Sequence, residues 1–268
     1  MYRFSVPRSR ILAAAAAGLL AACGDTSTEP SLVPDKAPDF FPSHETLRGA
    51  LQQVLTEQNG GLGFEMWATI VDRTGVVVDV VFSGENSGSQ WPGSRVISAQ
   101  KANTANAFSL DGFALSSANL FAAVQPGGSL FGLQESNPVD PDVAYGGKAS
   151  DYGTSKDPMI GHRIGGINVF GGGLALYLPD GSLVGGIGVS GDTSCTDHVV
   201  AWKLRHALNL DNVPAGVGAE STDNIVFAED EIDGFEHPTC INPAEGTEGN
   251  STDIANDLPD SDPVGPGE

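Results

Sequence analysis

Apolar residues along this chain recur at two different spacings, and the spacing changes from one segment to the next. Leu47, Leu51 and Val54 recur at intervals that place them on one face of an α-helix. Ser43 precedes this face and can accept a hydrogen bond from a free N–H of the first turn. The pattern therefore predicts an amphipathic helix that begins beside Ser43 and stops before Asn59-Gly60-Gly61.

Short apolar runs occur as two pairs, each joined by a turn sequence, which predicts two β-hairpins. Asp72-Arg73-Thr74-Gly75 forms the first turn and Pro179-Asp180-Gly181 the second. The strands are predicted at 64–71 and 76–82, at 174–178 and 182–189, and as a short separate strand at 167–169.

Helical spacing returns between and after the hairpins. In the segment 94–108, Ile97, Ala102 and Ala105 are available for burial, whereas Lys101 is expected to be exposed. Further helices are predicted at 114–124 and 197–208. Two hairpins separated and flanked by helices predict an α+β domain in which helices cover an antiparallel sheet.

The stretch Gly186-Ile-Gly188-Val-Ser-Gly191 matches the G-x-G-x-x-G pattern of dinucleotide sites, and Asp211 follows about twenty residues later. The match is misleading, because the preceding strand is reached through a hairpin turn and not through a βαβ crossover. Gly186 and Gly188 also lie inside the predicted strand. Glycines there allow a helix or a ligand to approach the sheet closely.

Three segments resemble the GlcG/HbpS family, also called the haem-degrading or haem-binding GlcG-like domain. They are Ile70-Val71-Asp72-Arg73-Thr74-Gly75, the segment from Ile97 through Lys101 and Thr104 to Phe108, and the glycine-rich stretch 171–208. The resemblance implies a profilin-like arrangement of α/β/α layers around a five-stranded antiparallel sheet. It also implies a homo-oligomer and, in some members, a haem or iron ligand.

The sequence departs from the family pattern in two segments of the domain, which is expected to span 40–240. One is an insertion at about 129–163, and the other is an added C-terminal segment that ends near Cys240. Beyond it, 241–268 is acidic and rich in Pro, Gly, Ser and Thr, which predicts a disordered tail.

The first residues have the order of a bacterial export signal. Arg3, Arg8 and Arg10 precede an apolar run too short to span a bilayer, and Leu20-Ala21-Ala22-Cys23 resembles a lipobox. The expected organisation is a signal peptide at 1–22, lipidation of Cys23, and a flexible tether at 23–39. The protein is therefore expected to be an exported lipoprotein, anchored to a membrane and facing the periplasm or the cell surface.

The chain is strongly acidic, with 34 Asp and Glu against 13 Lys and Arg, a formal net charge of −21. Nucleic-acid binding needs clustered cations on phosphates, so it is not expected. Anionic lipid headgroups would also repel the protein, which leaves the lipid anchor as its contact with the membrane.

A haem ligand would need an axial residue, most often His. Five histidines are present, and His162 and His198 are the first candidates; Arg163 could pair with a propionate beside His162. Haem and another small molecule both remain open as the ligand.

Cys195 and Cys240 lie 45 residues apart and allow three states. An exported protein favours a disulfide, and closing a loop of this length would stabilise the fold by about 4 kcal/mol. The alternatives are free thiols, or a zinc site in which His198 and His237 join the two cysteines.

Three functions remain open: a lipid-anchored binding protein for haem or another small molecule, an enzyme that acts on haem or a small organic acid, and a structural protein of the surface. Neither a G-x-S-x-G elbow nor an H-E-x-x-H motif is present. The sequence therefore gives the enzyme hypothesis no mechanism.

Overall fold

A computed structural model describes residues 38–228, 234–240 and 250–258. Its antiparallel sheet has the order β2-β1-β4-β3. The strands are β1 Trp67–Asp72, β2 Val77–Phe82, β3 Gly173–Tyr177 and β4 Leu183–Ser190. Both predicted hairpins are present, and β1 joins them by pairing with β4.

Three longer helices and three short ones accompany the sheet in the described ranges. The helices are α1 His44–Val54, α2 Ser94–Phe108, α3 Leu133–Ser136, α4 Pro141–Ala144, α5 Ser194–Ala207 and α6 Ser251–Asn256. Ser43 caps α1 by accepting a hydrogen bond from Thr46 N, as expected. The segment predicted as a helix at 114–124 contains two 3₁₀ turns, Ala118–Leu120 and Ala122–Val124.

The expectation of five strands is wrong for the described residues, where the sheet has four. Residues 167–169 have no regular secondary structure and pair with no strand. Asn168 N instead donates to Thr104 Oγ1, and Phe170 N donates to Asn168 Oδ1. Side chains of the segment and of α2 thus satisfy the backbone groups that a ladder would otherwise use.

The sheet is covered on both faces. Alternate residues of β1 point in opposite directions, so that Ile70 joins a core with α1 and α5, whereas Val71 joins a core with α2 and the insertion. The core between the sheet and α1 contains Leu47, Leu51 and Val54, as predicted. The profilin-like layering itself stays a prediction.

Glycines of β4 let α2 lie almost directly on the sheet. A Cβ at Gly188 would come within 1.9 Å of the Ser98 carbonyl oxygen, and one at Gly186 within 2.4 Å of the Ala102 carbonyl oxygen. The glycine pattern that imitates a dinucleotide motif is therefore a packing surface for α2, as the sequence indicated.

The predicted signal peptide at 1–22 and most of the tether lie outside the described residues. Part of the tail expected to be disordered forms α6, where Asn224 Nδ2 donates to the Ala255 carbonyl and Thr252 Oγ1 accepts from Cys240 N. Ala255 is fully buried against α5 and gives this helix an apolar contact that composition alone did not show. None of the described helices has the length and apolar character needed to cross a membrane.

Candidate functional site

An open cleft of about 510 Å³ lies between the start of α1, the end of β2 and the insertion. His44 and Arg48 come from α1, and Phe82 and Glu85 come from the end of β2 and the loop after it. The insertion contributes Ala149, Ser150, Tyr152, Gly153, Thr154 and Ser155. The volume falls in the usual range for small-molecule sites, about 300–1,000 Å³.

His44 is the histidine that lines this cleft, and its imidazole can bind a metal. Its Nδ1 lies 2.8 Å from Asp79 Oδ1, and the imidazole is partly exposed. Its Nε2 has no hydrogen-bond partner among the described residues. A carboxylate that accepts from Nδ1–H holds the neutral tautomer with an unprotonated Nε2, which is the usual arrangement of a metal-binding histidine.

Asp79 is a buried carboxylate inside β2, and its surroundings explain its position. Burial raises the pKa of Asp79, while the hydrogen bond and charge of His44 oppose the shift. Val80 N–H also donates to this carboxylate. Asp79 therefore orients the imidazole of His44 through the hydrogen bond to Nδ1.

Arg48 adds a cation to the cleft. Its Nε donates to the Phe82 carbonyl and its Nη2 to the Gly84 carbonyl, each at 3.0 Å. Nη1 makes no hydrogen bond within the described part of the chain, so it can donate to a ligand anion. Phe82 and Tyr152 supply aromatic surface to the same cleft.

The wall formed by the insertion is attached to α2 through Asp157. This buried carboxylate accepts from Arg95 Nε at 2.8 Å, from Arg95 Nη2, and from the backbone N–H groups of Gly153 and Met159. The Arg95 guanidinium also lies 3.7 Å from the centre of the Tyr152 ring. The Arg95–Asp157 ion pair thus holds the segment of the insertion that lines the cleft.

His162 and Arg163, predicted as ligand-binding residues, are exposed and lie outside the residues that line the cleft. Arg163 donates to the carbonyl and to the hydroxyl of Thr74, in the turn between β1 and β2. The structure gives this pair a role in joining the end of the insertion to the first hairpin.

His198, the other predicted ligand, is fully buried on α5. Its Nε2 lies 3.1 Å from Asn224 Oδ1 and 3.2 Å from Ile225 N, so the ring contacts the C-terminal segment. Burial lowers the pKa of His198 to about 3. The structure does not bring His198 together with His162.

The predicted disulfide between Cys195 and Cys240 is present, with an S–S distance of 2.08 Å. Because each sulfur is bonded to the other, neither is available to zinc. His198 and His237 have separate partners: His237 Nε2 accepts from Ser194 Oγ and its Nδ1 donates to the Pro238 carbonyl. No cluster of potential metal ligands occurs in the residues that the structure describes.

The expectation that Lys101 is exposed is wrong. Lys101 is 1% exposed and its Nζ lies 2.6 Å from Asp197 Oδ2. Burial lowers the pKa of Lys101 and raises the pKa of Asp197 to about 6, and their mutual attraction opposes both shifts. Asp197 Oδ1 also accepts from Gly191 N and Asp192 N, so the pair joins α2 to the start of α5.

Sequence reasoning did not select His44, although two signals were available. Asp79 interrupts an otherwise apolar strand, Val77-Val78-Asp79-Val80-Val81, and a buried acid needs a partner. His44 follows a helix cap, where its side chain can reach beyond the helix. Neither signal identifies the other residue, because 35 positions separate them.

The fold and site can be compared with known proteins. The model of the family described as haem degrading protein HbpS-like matches residues 43–204. A search of curated sequences gave no match.

Solved structures similar to this chain include three with low identity. Klebsiella pneumoniae protein ORFY is 22% identical, with 66% of this chain and 97% of that chain covered and a TM-score of 0.42. The PduOC:Heme complex is 23% identical, with coverages of 63% and 96% and a TM-score of 0.44. A double mutant of Streptomyces reticuli HbpS is 16% identical, with coverages of 75% and 99% and a TM-score of 0.41. Because the family match spans more than half of the sequence, the chain belongs to the family of haem-degrading, HbpS-like proteins.

Proposed function

We propose that this protein binds haem in the cleft between α1, β2 and the insertion, with His44 as the axial ligand. The observation that carries the proposal is the pairing of His44 Nδ1 with Asp79, which leaves Nε2 without a described partner on a histidine that lines a cleft of about 510 Å³. Family membership supports haem as the ligand.

The residues of the cleft fit haem in three respects. An imidazole nitrogen is a common axial ligand of haem iron. Phe82 and Tyr152 offer aromatic surface to a porphyrin, and Arg48 Nη1 can donate to a propionate. When bound, haem would supply a redox-active iron, and the proposal extends to binding and not to turnover.

The test is a spectroscopic titration of the folded protein with haem. Wild type is expected to shift the Soret band as the iron gains a nitrogen ligand, and His44→Ala is expected to lose that shift. Asp79→Asn is expected to weaken binding about tenfold, because the partner that orients the ligand is weakened. His162→Ala is the matched control, since this histidine lies outside the cleft.

An unchanged Soret shift in His44→Ala would remove His44 as the ligand. Loss of the shift in His162→Ala alone would transfer the site to the histidine that the sequence favoured. Circular dichroism of each variant would show that the fold is retained.

Export, lipid anchoring and self-association complete the proposal. A disulfide is typical of an exported protein, and the leader ends in Leu20-Ala21-Ala22-Cys23. Labelled palmitate is expected to be incorporated into the wild-type protein and not into Cys23→Ser.

Light scattering of the protein without its predicted signal peptide tests the predicted homo-oligomer.

A further inference from the structure

Most cations of this acidic chain are already neutralised or bound within the described residues. Four form ion pairs with acids, and two donate to oxygens of uncharged residues. The ion pairs are Arg95–Asp157, Lys101–Asp197, Lys203–Glu57 and Arg205–Asp223. Arg73 donates to Asn106 and Ser109, and Arg163 donates to Thr74.

Of the three cations that remain among the described residues, Arg48 lines the cleft and two lysines are sequence neighbours of residues that line it. Lys148 and Lys156 are exposed and form no ion pair with any described residue. They flank the insertion wall, each one residue away from a residue that lines the cleft, Ala149 or Ser155. Arg48 completes the group with its free Nη1.

This distribution of charge sets the chemistry of a ligand. With a net charge of −21, most of the protein repels anions. Among the lining residues, the charge of Arg48 is balanced by the carboxylate of Glu85. Lys148 and Lys156 add two exposed positive charges beside the insertion wall, and these favour the entry of a carboxylate. The two lysines belong to the insertion, so the insertion adds this property to the fold.

We propose that Lys148 and Lys156 determine specificity by contacting the carboxylates of an anionic, planar ligand in the cleft. The proposal rests on the proposed function for the identity of the ligand, in which the carboxylates are the haem propionates. The lysines recognise charge at the rim, whereas His44 binds the iron at the base.

The test compares haem, haem dimethyl ester and metal-free protoporphyrin IX on the same variants. Lys148→Gln with Lys156→Gln is expected to weaken haem and protoporphyrin IX about fivefold at low salt, since exposed ion pairs contribute roughly 0.5 kcal/mol each. The ester is expected to bind equally to both forms, and added salt should reduce the difference for haem. Arg163→Gln is the matched control, because it removes an exposed cation outside the cleft.

Equal ratios of haem to ester affinity in wild type and in the lysine variant would overturn the proposal, as would equal effects of Arg163→Gln. Protoporphyrin IX separates this proposal from the assignment of His44, because it has no iron. Lysine-dependent binding of protoporphyrin IX, together with an unchanged haem spectrum in His44→Ala, would retain the lysines and reject His44. Haem binding that needs His44 but not the lysines would retain His44 and reject the lysines. Absence of binding of any porphyrin would reject both.

Discussion

The insertion, 129–163, and the described parts of the C-terminal segment, 209–228, 234–240 and 250–258, are attached to the sheet domain by the same kind of ion pair. In each, a buried aspartate of the added segment pairs with an arginine of a core helix: Asp157 with Arg95 of α2, and Asp223 with Arg205 of α5. An aromatic ring lies over each guanidinium, at 3.7 Å for Arg95 and 4.8 Å for Arg205.

The two segments differ in what else holds them. The C-terminal segment is also bonded covalently through Cys195–Cys240 and buries His237 beside Ser194. The insertion contains no cysteine and so has no disulfide to the rest of the domain, yet it forms one wall of the cleft. The comparison suggests separate roles, in which the disulfide stabilises the fold and the Asp157 pair positions the wall of the cleft.

The largest expected effect comes from breaking the two ion pairs. Asp157→Ala and Asp223→Ala should each lower the free energy of unfolding by about 3–5 kcal/mol, because each leaves a buried arginine without its counter-charge. Asp157→Ala should also abolish haem binding, whereas Asp223→Ala should retain it. Urea unfolding and haem titration check both results at a temperature where the variants remain folded.

Asp142→Ala is the control for the insertion, since this aspartate is exposed on α4. Equal loss of haem binding in Asp223→Ala would contradict the division of roles between the segments.

Removing the disulfide should have the next largest effect. Cys195→Ala with Cys240→Ala should lower the free energy of unfolding by about 2–4 kcal/mol and increase proteolysis of the C-terminal segment. Haem affinity should stay within twofold of wild type at 20 °C, because the cleft is formed by other residues. A large fall in haem affinity would show that the two segments are coupled.

Lowering the pH should destabilise the C-terminal segment more than it destabilises the insertion. Burial lowers the pKa of His237 to about 4 and that of His198 to about 3, from 6.5 in the unfolded chain. The unfolded chain therefore binds more protons in this window, so stability falls as the pH decreases from 6.5 toward 3. Asp197, whose pKa is raised from 3.8 to about 6, opposes this trend between those two pH values, because there the folded state binds the extra proton.

Hydrogen exchange at pH 7 and pH 4.5 measures this effect segment by segment. After correction for the slower intrinsic exchange at the lower pH, a loss of protection is expected around 225–227 and 237–240, with a smaller change at 152–160. His237→Gln should reduce the pH dependence in the first region, and an unaltered dependence would exclude His237 as its source.

The smallest effect is expected for the exposed histidine that the sequence favoured as a ligand. His162→Ala should change the free energy of unfolding by at most about 0.5 kcal/mol, since surface substitutions away from special features have little effect. Urea unfolding is a sufficient test, and a loss above about 2 kcal/mol would mean that the side chain supports the insertion.

Local patterns predicted the elements of the core, but not how distant side chains pair. The helix 94–108 and the hairpin turns agree with the structure because their signals are local. Lys101 was expected to be exposed because its side chain is charged. Its buried partner, Asp197, lies 96 residues away in the sequence, and only the folded chain brings the two together.

The candidate site was less predictable for the same reason. The sequence favoured His162 because Arg163 follows it, whereas the cleft is formed by His44, with Asp79 as its partner, and by the segment expected to be an insertion. The disulfide was predictable, since two cysteines of an expected exported domain leave one intramolecular pairing.

A crystal structure of the haem complex would test the central claim most directly. We expect the iron to be bonded to His44 Nε2, with His44 Nδ1 still paired with Asp79. The propionates should be directed toward Lys148 and Lys156. Iron bonded to His162, or haem bound away from the wall at 149–155, would contradict it.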